Sequence, residues 1–499
     1  MNELRTATTQ SATSVAVARL SRRFQVDSTN SHHSLMRRHP MNGAANQFAQ
    51  EQKSGTVYLD VATNDHGDEK GMLVHRALSR IENDVPHIVE IGPGGGAAVE
   101  YLTDRLVEGS RTARLTLIEA PGVVSQSLLT AMDRFNTIGS SALVHGWAQD
   151  IASLLDEPVD MVSASALLHE IYSYGDAYTG LHSMMRILPT VIQPYGYFVY
   201  RDVYAVDAPS LHERVVQSYS RQAWLQFLRM FLPHYLATGA HPYHHHADEV
   251  VVRQNSRIVP LAEVDTRVCA VIEAPIGVFR EVQRHYITFR DHVWRSGVLG
   301  FHPSVDGPLS QDWIDFRFGH KRVHYSLSDS GWMSSAQRAN LLAVSERFTD
   351  HYVIDGDLFD AMSDVSLMAF LASAERDDRD CAPVWESWLT REGRETYAYL
   401  TIDELLSAFA VNSIEAGIGQ DSVLMPVSAE DVFTRERRYY NRFLTKRLSN
   451  PLTDAKQLVL FQNIPVADAE AVQRGLGTLH RLCSKPNLAR VQGAIHWRE

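Results

Sequence analysis

Two stretches of this 499-residue chain combine residue types that can do chemistry. The first is Val89–Gly96, reading VEIGPGGG, in which Glu90 is followed by Gly92, Gly94, Gly95 and Gly96. A backbone without Cβ atoms can turn through positive φ and lie directly against a ligand, and at a helix N-terminus its free N–H groups favour an anionic one. The second is SALLHEIYSYGD, which sets Ser165, His169, Glu170, Tyr172 and Tyr174 close together. An imidazole beside a carboxylate can hold or move a proton, so His169 and Glu170 are candidate bases. Between these stretches lie Glu119, at the end of RLTLIE, and Trp147, Ala148 and Asp150 in HGWAQDI. A carboxylate such as Glu119 offers acceptor oxygens to both hydroxyls of a ribose.

These residues need elements to hold them, and the apolar pattern supplies those elements in alternation. His87-Ile88-Val89 reads as a strand, and Ala97–Val107 as a helix with Val99, Leu102 and Leu106 on one face. A second strand follows at Arg114–Ile118, a helix at Val123–Phe135, a third strand at Ala142–His145 and a fourth at Asp160–Ala164. A helix around Ala177–Pro189 leads to a fifth strand, Tyr195–Val203, which carries Arg201 and Asp202 at its end. Strands alternating with helices predict an α/β fold, a doubly wound, Rossmann-like sheet whose strand C-termini face a ligand crevice. Gly92, Gly94 and Ala97 also fit the dinucleotide pattern G-x-G-x-x-G/A, so spacing alone leaves NAD and FAD open.

Glu90 with Gly92, Gly94 and Gly96 resembles the first motif of the class I S-adenosylmethionine-dependent methyltransferases, an acid, any residue, then G-x-G-x-G. Gly146, Ala148, Asp150 and Ile151 resemble the family's G-D-A-x-D-hydrophobic segment, with Trp147 where an acid is frequent. Asp160, Leu168, His169 and Glu170 match its fourth-strand pattern. The resemblance implies S-adenosyl-L-methionine as cofactor, bound by Glu90, the glycines, Glu119, Trp147, Ala148, Asp150 and Ser165. It further implies that His169, Glu170 and Tyr172 face the acceptor, and that a helical element over Tyr58–Glu69 closes on the cofactor. No N/D-P-P-Y/F sequence occurs, which argues against a nucleic-acid base as target.

Composition bounds the rest. A net charge of −12 argues against a protein that coats nucleic acid, which needs a basic face. Cys269, Cys381 and Cys483 lack paired spacing, so a disulfide framework is not expected and a reducing, cytoplasmic setting fits. No apolar run has the length of a membrane span. Residues 1–55 form a leader rich in Arg and Ser, with six arginines and only Glu3 and Asp27 as acids in its first 50 positions. That composition reads as a disordered tail, with organelle import or a basic arm as the other readings.

The cofactor core is expected over residues 56–203. Residues 204–390 exceed a minimal methyltransferase and read as a mainly helical insertion or additional domain, with a helix over Leu211–Phe231, that shapes an acceptor pocket. His234, His241, His244, His245 and His246 lie there with Asp248 and Glu249, but no paired motif accompanies them, and a solvated or substrate-lining loop is the reading rather than a metal centre. Thr401 and Glu404 have capping-box spacing and open a helix carrying Leu405, Leu406 and Phe409. Residues 391–465 are expected to close the methyltransferase sheet with strands at Ser422–Met425 and Gln457–Phe461, and 466–499 to form a terminal helix and tail. The expected activity is transfer of a methyl group from S-adenosylmethionine to O, N or C of a small molecule, fitting specialised metabolism. An NAD(P)- or FAD-dependent oxidoreductase and a catalytically silent scaffold or regulatory protein are the alternatives, and the sequence leaves a homo-oligomer open.

Overall fold

The structure, a computed structural model, describes residues 67–496 except 124, 203–210, 221, 239–241, 243–249, 305–312, 317–318, 330, 332, 416–421, 433–441, 450 and 453–455. The leader, Tyr58 to residue 66 and His241, His244, His245 and His246 therefore lie outside the described residues. The first described element is helix α1 (Gly67–Leu78), followed by β1 (His87–Ile91), α2 (Ala97–Glu108), β2 (Arg114–Glu119), α3 (Gln126–Phe135), β3 (Ser140–His145) and β4 (Val159–Ser165). Helices α4 (Leu168–Tyr174) and α5 (Ala177–Val191) precede β5 (Ile192–Asp202). Ile88, Val89, Leu117, Ile118, Val162 and Phe198 are buried, as strands covered by helices on both faces require. Helix α3 starts later than its apolar pattern predicts, because Ser125 accepts a hydrogen bond from Leu128 N and so caps it.

The chain between β5 and residue 390 builds two antiparallel sheets, of four and five strands among the described residues, beside a set of helices. The helix expected over Leu211–Phe231 is divided. RVVQSY, rich in β-branched residues and alternating in exposure, forms β6 (Arg214–Tyr219), while the apolar run after it stays helical as α6 (Gln222–Thr238). β6 pairs with β7 (Ala270–Pro275), which runs into the long helix α7 (Ile276–Arg295). Helices α8 (Ser335–Ala343), α9 (Gly356–Ala374) and α10 (Ala382–Thr390) complete the body. Trp224, Tyr286, Trp294, Trp313 and Trp388 fill its core, with Trp224 stacked on Tyr286 at 3.8 Å.

Helix α11 (Ile402–Glu415) brings the chain back. Its capping box is formed, with Glu404 N donating to Thr401 Oγ1 at 3.1 Å and Thr401 N to Glu404 Oε2 at 2.9 Å. Two strands follow, β8 (Ser422–Val432) and β9 (Lys456–Pro465), longer than their apolar cores suggested. Phe409 packs on Phe461 at 4.6 Å and Phe198 at 5.3 Å, seating α11 on β5 and β9. Phe443, Leu444 and Leu448, from the connection between β8 and β9, are buried in the core of the inserted body. Two separate excursions from the sheet therefore make one packed body.

β1 to β5 are parallel, and the sheet runs β8-β9-β5-β4-β1-β2-β3. β9 runs antiparallel between β5 and β8 and pairs Phe461 with Phe198, so QLVLF lies beside YGYFVYRDV in one sheet. Strand order reverses between β1 and β4, which makes the space beyond their C-terminal ends the switch-point crevice. Both chemistry-bearing stretches open into it. The C-terminal segment holds two helices, α12 (Ala469–Leu482) and α13 (Lys485–His496). Among the described residues no helix is long and apolar enough to cross a membrane.

Candidate active site

The glycine loop turns as its composition requires. Gly92, Gly94 and Gly96 have φ of 67°, 57° and 83°, in the left-handed region. A Cβ on Gly96 would lie 3.0 Å from both Leu128 Cα and Ala131 Cβ, so α3 presses directly on the loop. Ser127 Oγ donates to Gly95 O at 2.8 Å and fixes the other side. Glu119 sits beneath the loop, where Oε1 accepts from Ala120 N at 2.9 Å and the backbone of Gly94 supplies a further hydrogen bond. Burial pushes the Glu119 carboxyl up to about 7 against those bonds. Burial does the same to Glu90, also to about 7, with Lys70 of α1 opposing and Glu119 reinforcing the shift. Gly146 N donates to Glu119 O at 2.9 Å, which brings half-buried Trp147 and buried Ala148 to the same edge of the crevice. The Asp150 side chain is exposed, one turn further on.

Beyond β4 the chain makes an abrupt reversal. Ala166 adopts φ of 54° and its N donates to Arg201 O at 2.7 Å, a strained turn that directs α4 back over the crevice. Ser165 is half-buried at its start. His169 is 5% exposed, with Nδ1 3.0 Å from Asp202 Oδ1 and Nε2 3.7 Å from Glu395 Oε2. The second distance is too long for a hydrogen bond. Burial alone would lower the imidazole, but the Asp202 carboxylate, aided by Glu395 and Glu170, drives it up to about 10. Glu170, half-buried, is pushed up to about 8 by burial and by Glu395, and it also feels Glu119 across the crevice. Tyr172 is 2% exposed, edge-on to Tyr178 at 4.9 Å and stacked on Tyr399 at 5.2 Å. Its ring is part of the packing.

Glu395 arrives from the far end of the inserted body. Tyr397 OH donates to its Oε2, and Tyr174 OH lies 3.3 Å from its Oε1. Burial and the repulsion of Glu392 push it up to about 7. The stretch carrying it is clamped from two sides. Ser173 Oγ on α4 accepts from Thr396 N at 2.7 Å, and Glu281 Oε1 on α7 accepts from Tyr397 N at 2.8 Å and Ala398 N at 2.5 Å. A small depression beside this clamp is lined by Tyr200, Asp202, Tyr397, Tyr399, Leu400 and Gln457 among others.

The structure thus gathers Glu90, the glycines, Glu119, Trp147 and Ala148 on one side of the crevice, and His169 and Glu170 on the other. Asp160, part of the fourth-strand pattern, lies at the opposite end of β4. There its Oδ2 accepts from His87 N at 2.7 Å, a structural tie. Asp202 is visible in the sequence only as a strand end, and Glu395, Tyr397 and Glu281 carry no signal there. Donor atoms of His169, Glu170 and Glu395 all lie within 4.8 Å of one another and have the chemistry of metal ligands.

No protein-family model matches this sequence, and no curated protein does. Several solved structures resemble part of it. An amino pentose methyltransferase of calicheamicin biosynthesis from Micromonospora echinaspora, solved with S-adenosylmethionine bound, is 14% identical over 38% of this chain and 66% of its own, with a TM-score of 0.22. The N-methyltransferase NodS from Bradyrhizobium japonicum is 14% identical over 41% of this chain and 93% of its own, with a TM-score of 0.21. An O-methyltransferase family protein from Burkholderia thailandensis is 12% identical over 48% and 60%, with a TM-score of 0.23. The first and third are each matched over less than two thirds of their length. These likenesses are too partial to carry an argument about activity, and the strand order stands without them. By that order, and by the glycine loop at its switch point, the core has the Rossmann-like fold of the class I methyltransferase type.

Proposed function

We propose that the protein is an S-adenosylmethionine-dependent methyltransferase acting on a small molecule that reaches the crevice from the side of the inserted body. The observation that carries this reading is the pairing of β9, antiparallel, between β5 and β8 in a sheet whose β1 ends in the positive-φ glycine loop. A dinucleotide-binding sheet has the strand order 3-2-1-4-5-6, and this sheet departs from it after β5, which weighs against the NAD or FAD alternative.

When bound, S-adenosylmethionine supplies an activated methyl group that passes to the acceptor's nucleophilic atom and leaves S-adenosylhomocysteine. The chain's own residues bind and orient. Glu119 takes the ribose hydroxyls, the Gly92–Gly96 backbone lies against the amino-acid end with Glu90 beneath it, and Trp147 and Ala148 border the adenine. Ser165 lies at the turn between cofactor and acceptor. Among the candidate bases, His169 is raised well above the ordinary imidazole range by the Asp202 carboxylate, which favours Glu170 and Glu395 over it as the base and leaves it to position its neighbours. Glu170 and Glu395, raised toward neutral pH by burial, are the groups suited to take the acceptor's proton. Alignment of nucleophile and methyl carbon supplies much of the rate. Tyr172 supports the pocket wall through Tyr399. A cytoplasmic setting suits such an acceptor.

The test is formation of S-adenosylhomocysteine from S-adenosylmethionine across a library of amines, phenols and hydroxy acids. The reading expects at least one acceptor to drive turnover, with Glu170→Gln lowering kcat at least tenfold. Binding of the product without turnover on any acceptor would instead identify a silent scaffold.

A further inference from the structure

Among the described residues, one group of ligating side chains stands out, at the switch-point crevice. His169 and Glu170 come from α4, on the sheet, and Glu395 from the end of the inserted body, so the cluster exists only when the two are docked. The three donor atoms lie within 4.8 Å of one another, and His169 Nε2 is 3.7 Å from Glu395 Oε2. Two ligand atoms held tetrahedrally at about 2.0–2.1 Å from one ion stand roughly 3.4 Å apart, so the set must draw in from its 4.8 Å limit for one ion to bridge it.

Two features beyond the cluster itself point to a cation. His169 is only 5% exposed, and its Nε2 faces Glu395 Oε2 at 3.7 Å, beyond hydrogen-bonding reach. Its Nδ1 faces Asp202 at 3.0 Å, the outer-shell arrangement that fixes a ligating histidine's ring and turns its other nitrogen to a metal. Three carboxylates, Asp202, Glu170 and Glu395, therefore surround one imidazole. Arg391 also faces Glu170 and Glu395, but its guanidinium lies 3.7 Å from Glu392, which draws on the same charge.

We infer that His169, Glu170 and Glu395 form a binding site for one divalent transition-metal ion, oriented from behind by Asp202. One nitrogen and two oxygen donors suit Zn²⁺ or Mn²⁺ better than Mg²⁺, which keeps an all-oxygen, water-rich shell. The ion takes the place of the Nε2 proton, which leaves to solvent as the metal binds. Tyr397 and Tyr174 hold the Glu395 carboxylate in place for it. The site stands at the crevice of the methyltransferase reading above. Binding of the ion does not depend on that reading.

The test is calorimetric titration of chelator-treated full-length protein with MnCl₂, ZnCl₂ and MgCl₂ separately, alongside S-adenosylhomocysteine on the same samples. One Mn²⁺ or Zn²⁺ per chain is expected with micromolar or tighter affinity, and Mg²⁺ at least tenfold weaker. His169→Ala and Glu395→Gln should each weaken the ion at least thirtyfold while the nucleoside affinity stays within twofold, which shows that the variants fold. Should either fail to fold, Glu170→Gln, at a half-buried position, serves in its place. Wild-type protein that binds neither Mn²⁺ nor Zn²⁺, or that binds them as tightly after these substitutions, overturns the site. Ion binding without nucleoside binding would leave the metal site standing and remove the methyltransferase reading.

Discussion

The two sides of the crevice are assembled in opposite ways. On the cofactor side, Glu90, the glycines, Glu119, Trp147 and Ala148 sit on successive elements of one parallel sheet, each at a strand end that the chain reaches in order. On the other side, His169, Asp202 and Glu395 belong to α4, β5 and a segment that follows the inserted body in the chain, and the last is held by backbone hydrogen bonds to Ser173 and Glu281. The first side is local and rigid. The second is a docking product, so the two should fail separately when perturbed.

The largest effect is expected at the loop. Gly96→Val forces a β-branched residue to φ of 83° and into α3, and should destabilise the protein by about 3 kcal/mol or more, read as a lower denaturation midpoint together with loss of cofactor binding. Next, Glu281→Ala leaves the buried N–H groups of Tyr397 and Ala398 without their acceptor, at roughly 1–3 kcal/mol. Because those groups hold the Glu395 segment, kcat should fall at least tenfold while S-adenosylhomocysteine affinity stays within twofold. The complement is Glu119→Ala, which should weaken the nucleoside by about tenfold to a hundredfold, as for a lost hydrogen bond to a charged group, and leave divalent-ion binding intact. Either variant disturbing both sides equally would break the division.

The two sides also set the pH dependence of stability. Glu90 and Glu119 are raised in the folded state to about 7, so the native protein binds more protons than the unfolded chain between their ordinary pKa and that value. Their contribution is therefore fully present below about 4.5 and is lost as pH rises toward 7, at no more than about 1.4 kcal/mol per pH unit for each proton. The raised His169 acts in the same direction at higher pH. The cofactor-free protein should lose thermal stability from pH 5 to pH 7.5, and Glu119→Gln should flatten that slope.

The same division explains what the sequence can disclose. Strand periodicity, the glycine run and the acid after β2 are local patterns, and they predict the parallel core and its crevice. The capping box of Thr401 and Glu404 is local too, and marks α11 without any knowledge of its packing. Nothing local distinguishes Glu395 in REGRETYAYLT from an exposed loop acid, since its burial comes from α4 and α7, which are distant in the chain. The split of Leu211–Phe231 into β6 and α6 has a similar cause, because RVVQSY is a strand only where β7 offers it an edge. The pattern around His169 suggests a base, and Asp202 and Glu395, whose carboxylates raise its pKa, become its neighbours only in three dimensions.

The central claim is that the crevice at the switch point is built for S-adenosylmethionine, and calorimetry on the wild-type protein addresses it most directly. S-adenosylhomocysteine should bind with one site per chain, and NAD should produce no saturable heat at tenfold higher concentration. Saturable binding of NAD with none of S-adenosylhomocysteine would contradict the account.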